Sequence, residues 1–150
     1  MRDTPTAGQL WIVLARCYKS LSTRVEQSVS NAGMGLTDFM ILEALLHKGP
    51  LTITEIQGKI LLASGSMTAA VDRLEKKGMI VRRAIVQDRR ARRLELTREG
   101  RQGIERIFRE HAAEFESLVS VLGDGEKRQT YASLKKLGLH AAASLSSFSL

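Results

Sequence analysis

Four arginines, Arg89, Arg90, Arg92 and Arg93, fall within five positions of the stretch VQDRRARRLELTREG (residues 86–100), and Asp88 stands just before them. A guanidinium is planar, permanently charged and rich in N–H donors. It can grip phosphate oxygens in pairs, or enter a narrow groove where the negative potential is enhanced. Apolar residues bracket the cluster: Ile80, Val81, Ile85 and Val86 before it, Leu94 and Leu96 after. This pattern predicts two short strands, 79–86 and 93–97, joined by the arginine segment. A hairpin holds its charges in nearly fixed places, whereas a flexible tail loses conformational entropy on binding. Asp88 can pair with Arg90 or Arg92 and shape the tip, although an exposed pair contributes only about 0–1 kcal/mol.

The surrounding charge supports a docking role. The chain has 150 residues, a formal charge of +7 and a pI near 10.0. From Arg73 to Arg109 there are thirteen basic residues against five acidic ones. That surplus of eight exceeds the charge of the whole chain, so the remainder is slightly acidic. Nucleic acid and anionic membrane surfaces are the partners such a balance suggests. Arg98, Arg101, Arg106 and Arg109 read as a solvated field around the site rather than as specific contacts.

A reader of this kind needs a scaffold. With 43% hydrophobic residues the chain can build one cored domain, and 5% aromatics with two prolines favours helices over a sandwich or barrel. Leu10, Leu14, Cys17, Leu21 and Val25 recur at steps of three and four, predicting a helix over 8–32 that Asn31-Ala-Gly33 ends. A second helix is expected in LTDFMILEALLHK, capped by Thr37 and stopped by Gly49-Pro50. Thr52 and Glu55 form a capping box at the start of a short third helix. After ASGS, a fourth helix starts near Ser64 or Ser66 and runs to Gly78, with Met67, Val71 and Leu74 inward. Thr97 is expected to cap a long helix bearing Ile104, Ile107, Phe108, Phe115, Leu118 and Leu122. GDG at 123–125 reads as a turn, and a last helix carries Tyr131, Leu134, Leu137 and Ala141. The fold class is therefore mainly α with a small β-hairpin wing. A winged helix-turn-helix at about 36–100 is flanked by helices at about 8–32 and 101–147, all within one domain.

A recognition helix places its N-terminal residues against base edges in the major groove, where small and polar side chains suit. Here these are Ser64, Gly65, Ser66 and Thr68. Helix capping by the serines is compatible with contacts to phosphate. Arg73 and Lys76 lie further along, where the helix climbs out beside the backbone.

The stretch ILLASGSMTAAVDRLEKKGMIVRR followed by DRRARRLELTREG resembles the MarR family of bacterial transcriptional regulators over about residues 8–140. Asp88-x-Arg90 with Leu96-Thr97 resembles the family's wing signature. The resemblance implies that Arg90 enters the minor groove and that Asp88 positions it. It further implies a homodimer interleaved through the first and last helices, and a repressor released by a small, often aromatic ligand or by an oxidant. The KILLASGS run is most similar to members that respond to quinones and phenolics. The terminal stripes also need cover that one chain does not supply. Two-fold pairing would hide them and set the recognition helices about 34 Å apart, matching a near-palindromic operator.

Other residues have two readings each. Cys17 is either a small buried hydrophobe or, as in some proteins of this kind, a redox sensor. Trp11, Tyr18, Phe39, His111 and Phe115 are either ordinary core or the lining of a ligand pocket. His47, His111 and His140 lack metal-site spacing, so no metal and no cofactor is expected. No Gly-rich phosphate loop or nucleophile–base pair is visible, so an enzyme is not expected. A single cysteine, no signal peptide and no apolar run near ~18 residues point to a cytoplasmic protein without a membrane partner. An architectural DNA-coating protein is the alternative. A specific binder favours its site by ~10³–10⁷ over random DNA, and a coating protein does not.

Overall fold

The computed structural model describes residues 4–60, 66–85 and 88–146, with the backbone alone at 88–90 and 145–146. The chain forms two compact units, one ending at Glu114 and the other starting at Phe115. In the first, α1 (Ala7–Asn31) is followed by α2 (Leu36–Lys48), β1 (Leu51–Thr52), α3 (Ile53–Gln57), α4 (Met67–Lys76), β2 (Ile80–Ile85) and β3 (Asp88–Leu96). Helix α5 (Arg98–Val119) starts in the first unit and ends in the second, which also holds α6 (Asp124–Ser146).

Helix α2 is apolar on almost every side, so it becomes the centre. Phe39, Ile41, Leu42 and Leu45 are buried with Val29 of α1, Ile56 of α3, Val71 and Leu74 of α4, Ile80 and Leu94 of the sheet, and Ile104 of α5. Thr37 does not cap this helix. Gly35 holds the cap position, its carbonyl already accepts from the Phe39 amide at 3.0 Å, and Thr37 is buried in the first turn. The capping box at α3 forms as expected: Thr52 N donates to Glu55 Oε2 at 2.7 Å, and Glu55 N to Thr52 Oγ1 at 3.2 Å. A second box starts α1, where Thr6 N donates to Gln9 Oε1 at 2.9 Å and Gln9 N to Thr6 Oγ1 at 3.2 Å.

The sheet corrects the expected hairpin in two ways. It has three antiparallel strands in the order β1-β3-β2, because Leu51 and Thr52 pair with Leu94 and Arg93. The arginine segment also lies inside β3 and does not merely join two strands. Charged residues hide the alternation that would announce a strand, and pairing with β2, joined at Arg93 by β1, supplies the strand character that the segment does not announce. Pairing with β2 runs in register from Ile80↔Leu96 to Ala84↔Arg92, then slips so that Ile85 faces Asp88. Arg89, Arg90 and Ala91 therefore have no partner on β2 among the described residues.

The passage from β3 into α5 is tightly packed. Thr97 caps the helix, accepting from Gly100 N at 2.9 Å while its own hydroxyl donates to Gly78 O at 2.6 Å. The Thr97 amide donates to Met79 O at 3.0 Å. A β-carbon on Gly100 would stand 1.8 Å from that same oxygen, so only glycine fits. Gly78, with φ of 69°, supplies the left-handed turn that separates α4 from β2.

In the second unit, Gly123 N donates to Glu126 Oε2 at 2.8 Å at the start of α6, and Lys127 Nζ reaches Glu116 Oε1 at 2.6 Å. The turn is shorter than the expected 123–125, since Asp124 already belongs to the helix.

Candidate nucleic-acid interface

Helix α4 is built to present one face. Met67, Ala70, Val71 and Leu74 are buried, leaving Thr68, Ala69, Asp72, Arg73 and Lys76 outward. Ser66 caps the helix through its Oγ, which accepts from Ala69 N at 3.3 Å and leaves the hydroxyl hydrogen available to a partner. Of the expected base-reading residues, Ser66 and Thr68 sit exposed at the helix start; Ser64 and Gly65 lie outside the described residues. Lys76 is exposed in the last turn.

Two ion-pair clusters hold this helix, and sequence reasoning found neither. Arg73 reaches back to α2, donating through Nε to Asp38 Oδ2 at 3.0 Å and through Nη2 to Oδ1 at 2.5 Å. The Asp38 side chain is only 3% exposed, so the buried carboxylate has its charge met in bidentate fashion. The hydrogen bonds to Asp38, then its charge, raise the Arg73 pKa. Arg73 was expected beside the DNA backbone; two of its donors are occupied within the fold. On the other side, Arg82 of β2 binds Asp72 through Nη2 and Glu75 through Nη1. The hydrogen bond to Asp72 is the main cause of its raised pKa. An acid in the first turn of an apolar helix was the only visible hint of the first cluster. Asp72-x-x-Glu75 was the hint of the second.

In the wing, Arg92 and Arg93 are exposed on β3. Arg92 Nη1 donates to Ala91 O at 3.2 Å. Arg93, on the central strand, faces Arg83 on one side and Thr52 on the other. Like charges directly across a ladder are destabilising. Glu95 approaches Arg83 at 3.8 Å and relieves part of this. The Thr52 hydrogen bonds hold the Glu55 carboxyl below its ordinary range, and Arg93 adds to the effect. The side chains of Asp88, Arg89 and Arg90 lie outside the described residues.

Phe39 and His111 meet edge to face at 5.2 Å, and His111 Nδ1 lies 3.2 Å from Ser28 Oγ. Trp11 and Tyr18 stand 70% and 59% exposed on α1, and Phe115 belongs to the second unit. Cys17 is exposed in the single chain. Among the described residues no group of three or more His, Cys, Asp or Glu could hold a metal ion, and no helix is long and apolar enough to cross a membrane.

A helix-turn-helix whose second helix is exposed on one face, followed by a basic β-wing, defines a winged helix-turn-helix DNA reader. The MarR family profile matches residues 35–91. Over 138 residues the chain is 40% identical to the HTH-type transcriptional regulator MhqR of Bacillus subtilis, spanning 92% of this chain and 95% of that protein. Among solved structures, a MarR family protein from Bacillus stearothermophilus superposes with a TM-score of 0.70 at 26% identity, covering 90% of this chain and 94% of the other. BpsR of Bordetella bronchiseptica, whose DNA binding is regulated by 6-hydroxynicotinic acid, has the same fold, with a TM-score of 0.75 at 18% identity over 91% of this chain and 97% of that one. The chain belongs to the MarR family, and it is a transcriptional regulator rather than an enzyme.

Proposed function

We propose that the protein is a homodimeric, cytoplasmic repressor that binds a near-palindromic operator and releases it when a small aromatic or phenolic ligand, or an oxidant, arrives. The observation that carries this reading is the outward face of α4, polar at its start and anchored by Asp38 on one side and Arg82 on the other. In this reading Ser64, Gly65, Ser66 and Thr68 meet base edges and Lys76 meets phosphate. The wing arginines Arg89, Arg90, Arg92 and Arg93 enter the flanking minor groove, with Asp88 shaping the tip. Arg73 contributes mainly by holding the helix.

Members of the family bind DNA and work as dimers. Consistent with pairing, Trp11, Val13 and Tyr18 of α1 and Tyr131, Leu134 and Leu137 of α6 stand exposed, more apolar surface than a monomer usually leaves to water. A phenolic effector is supported by the KILLASGS likeness, and the exposure of Cys17 keeps oxidation open as a second release signal.

Selection of bound sequences from a random double-stranded library, with reduced protein at near-physiological salt, tests the reading. Enrichment of a near-palindrome with half-sites about ten base pairs apart supports it. Tight, salt-sensitive binding with no enriched sequence favours an architectural DNA-coating protein instead.

A further inference from the structure

We infer that Arg82 is a positioning residue for DNA binding: it neutralises and holds down the Asp72 and Glu75 carboxylates, so that α4 can approach DNA. The inference rests on α4 being the DNA-reading helix.

Residues 68, 72 and 76 follow one another at steps of four and form one line along the helix. Asp72 therefore lies between Thr68 and Lys76 on the face offered to the duplex, and its side chain is 59% exposed. A bare carboxylate there faces phosphates or the acceptor-rich edge of guanine, and both repel it. The rest of the helix supplies no surplus to offset it. Arg73 is engaged by Asp38, which leaves Asp72 and Glu75 balanced against Lys76 and Lys77. Arg82 alters that balance from the neighbouring strand. Its Nη2 lies 2.5 Å from Asp72 Oδ1, and its Nη1 binds Glu75 Oε2. Its own side chain is 29% exposed, with the two terminal nitrogens turned to the carboxylates. One planar group thus spans two acids a turn apart, which a lysine ammonium does less well. A strand residue that does not itself touch DNA then sets how closely the recognition helix can come.

The test compares four full-length proteins: the parent, Arg82→Gln, Asp72→Asn/Glu75→Gln, and the triple variant. Affinity for the sequence selected by the parent is read by fluorescence anisotropy at fixed salt, alongside thermal melting and dimer mass. Arg82→Gln is expected to weaken binding about tenfold. The triple variant should return to within about threefold of the parent, and Asp72→Asn/Glu75→Gln should bind at least as tightly as the parent. A triple variant as weak as Arg82→Gln overturns the inference, because Arg82 would then touch DNA itself. Weakened binding by Asp72→Asn/Glu75→Gln overturns it too, because the acids would then be needed for contact. If Arg82→Gln is unfolded at the assay temperature, Arg82→Lys, which keeps a charge but spans the two acids less well, takes its place and should bind more weakly than the parent; equal binding overturns the inference. A parent that selects no sequence defeats the operator reading; a parent that selects one, with no rescue, defeats only the role of Arg82.

Discussion

Replacing Gly100 with alanine tests the joint between wing and helix. The added β-carbon would lie 1.8 Å from Met79 O and 2.7 Å from Met79 C, both backbone atoms that cannot rotate away. Ordinary contact begins near 3.4 Å, so the start of α5 must retreat by about 1.6 Å. That movement breaks or strains three hydrogen bonds: Thr97 N to Met79 O, Thr97 Oγ1 to Gly78 O, and Gly100 N to Thr97 Oγ1. At about 1 kcal/mol each the loss is about 3 kcal/mol. Alanine's better helix propensity returns about 1 kcal/mol. The net cost of about 2 kcal/mol corresponds to a fall in Tm of about 4–8 °C for a chain of this size. Calorimetry at fixed protein concentration measures it, since dimerisation couples Tm to concentration. Gly103→Ala is the control. Its β-carbon meets only the mobile Met79 Cε, at 3.3 Å, so it should leave Tm unchanged or raise it. If Gly100→Ala raises Tm as Gly103→Ala does, the close approach is not a constraint and the reasoning fails.

Arg73→Ala should lower Tm more than Asp38→Ala, because the first strands a buried carboxylate while the second leaves a half-exposed guanidinium to water; equal losses in thermal melts would count against the clamp. The depressed Glu55 pKa means that its stabilisation is complete above the ordinary carboxylate range and fades as pH falls through the lower folded value. Glu55→Gln should therefore flatten the acid limb of a stability–pH profile, and an unchanged limb would exclude Glu55 as its source. Arg90→Ala should weaken operator binding by about 1–3 kcal/mol with fold and dimer intact, whereas Lys76→Ala should weaken specific and random DNA alike and lower the salt slope by about one unit. Titrations against both DNAs at several salt concentrations separate the two, and a base-preference change from Lys76→Ala would contradict its assignment to phosphate. Leu137→Glu, on the exposed face of α6, should raise the dimer dissociation constant at least about tenfold, as sedimentation velocity would show; an unchanged dimer places the interface elsewhere.

Much of the reader was legible in the chain. The helical stripes, the Thr52–Glu55 box and Thr97 ahead of its helix are local signals, decided within four residues. The Thr6–Gln9 box is equally local, but it lies ahead of the apolar stripe that marks the helix. Non-local pairings were not legible. Leu51 and Thr52 become a strand only because β3 arrives beside them, and two residues have no periodicity to read. Arg73 and Asp38 are 35 positions apart, and nothing in the spacing of either says they meet. Arginines 92 and 93 could be recognised as a charge cluster, but not as strand residues, because their strand character comes from neighbours: Ala84 for Arg92, and both Arg83 and Thr52 for Arg93.

The two residues of β1 have a consequence for the order in which the molecule assembles. Strands β2 and β3 are neighbours in the chain and can zip up within microseconds once the tip turns. Leu51 must instead find Leu94, 43 positions further along the chain, across a loop that contains α3, α4 and β2. Closing so long a loop costs entropy before any contact offsets it, so β1 is expected to dock last, after the helices have collapsed onto α2. Because Thr52 both closes that ladder and caps α3, the final pairing event also ties the helix-turn-helix to its wing. On the proposed reading, the spacing of major- and minor-groove contacts would be established at the end of folding, by a strand two residues long.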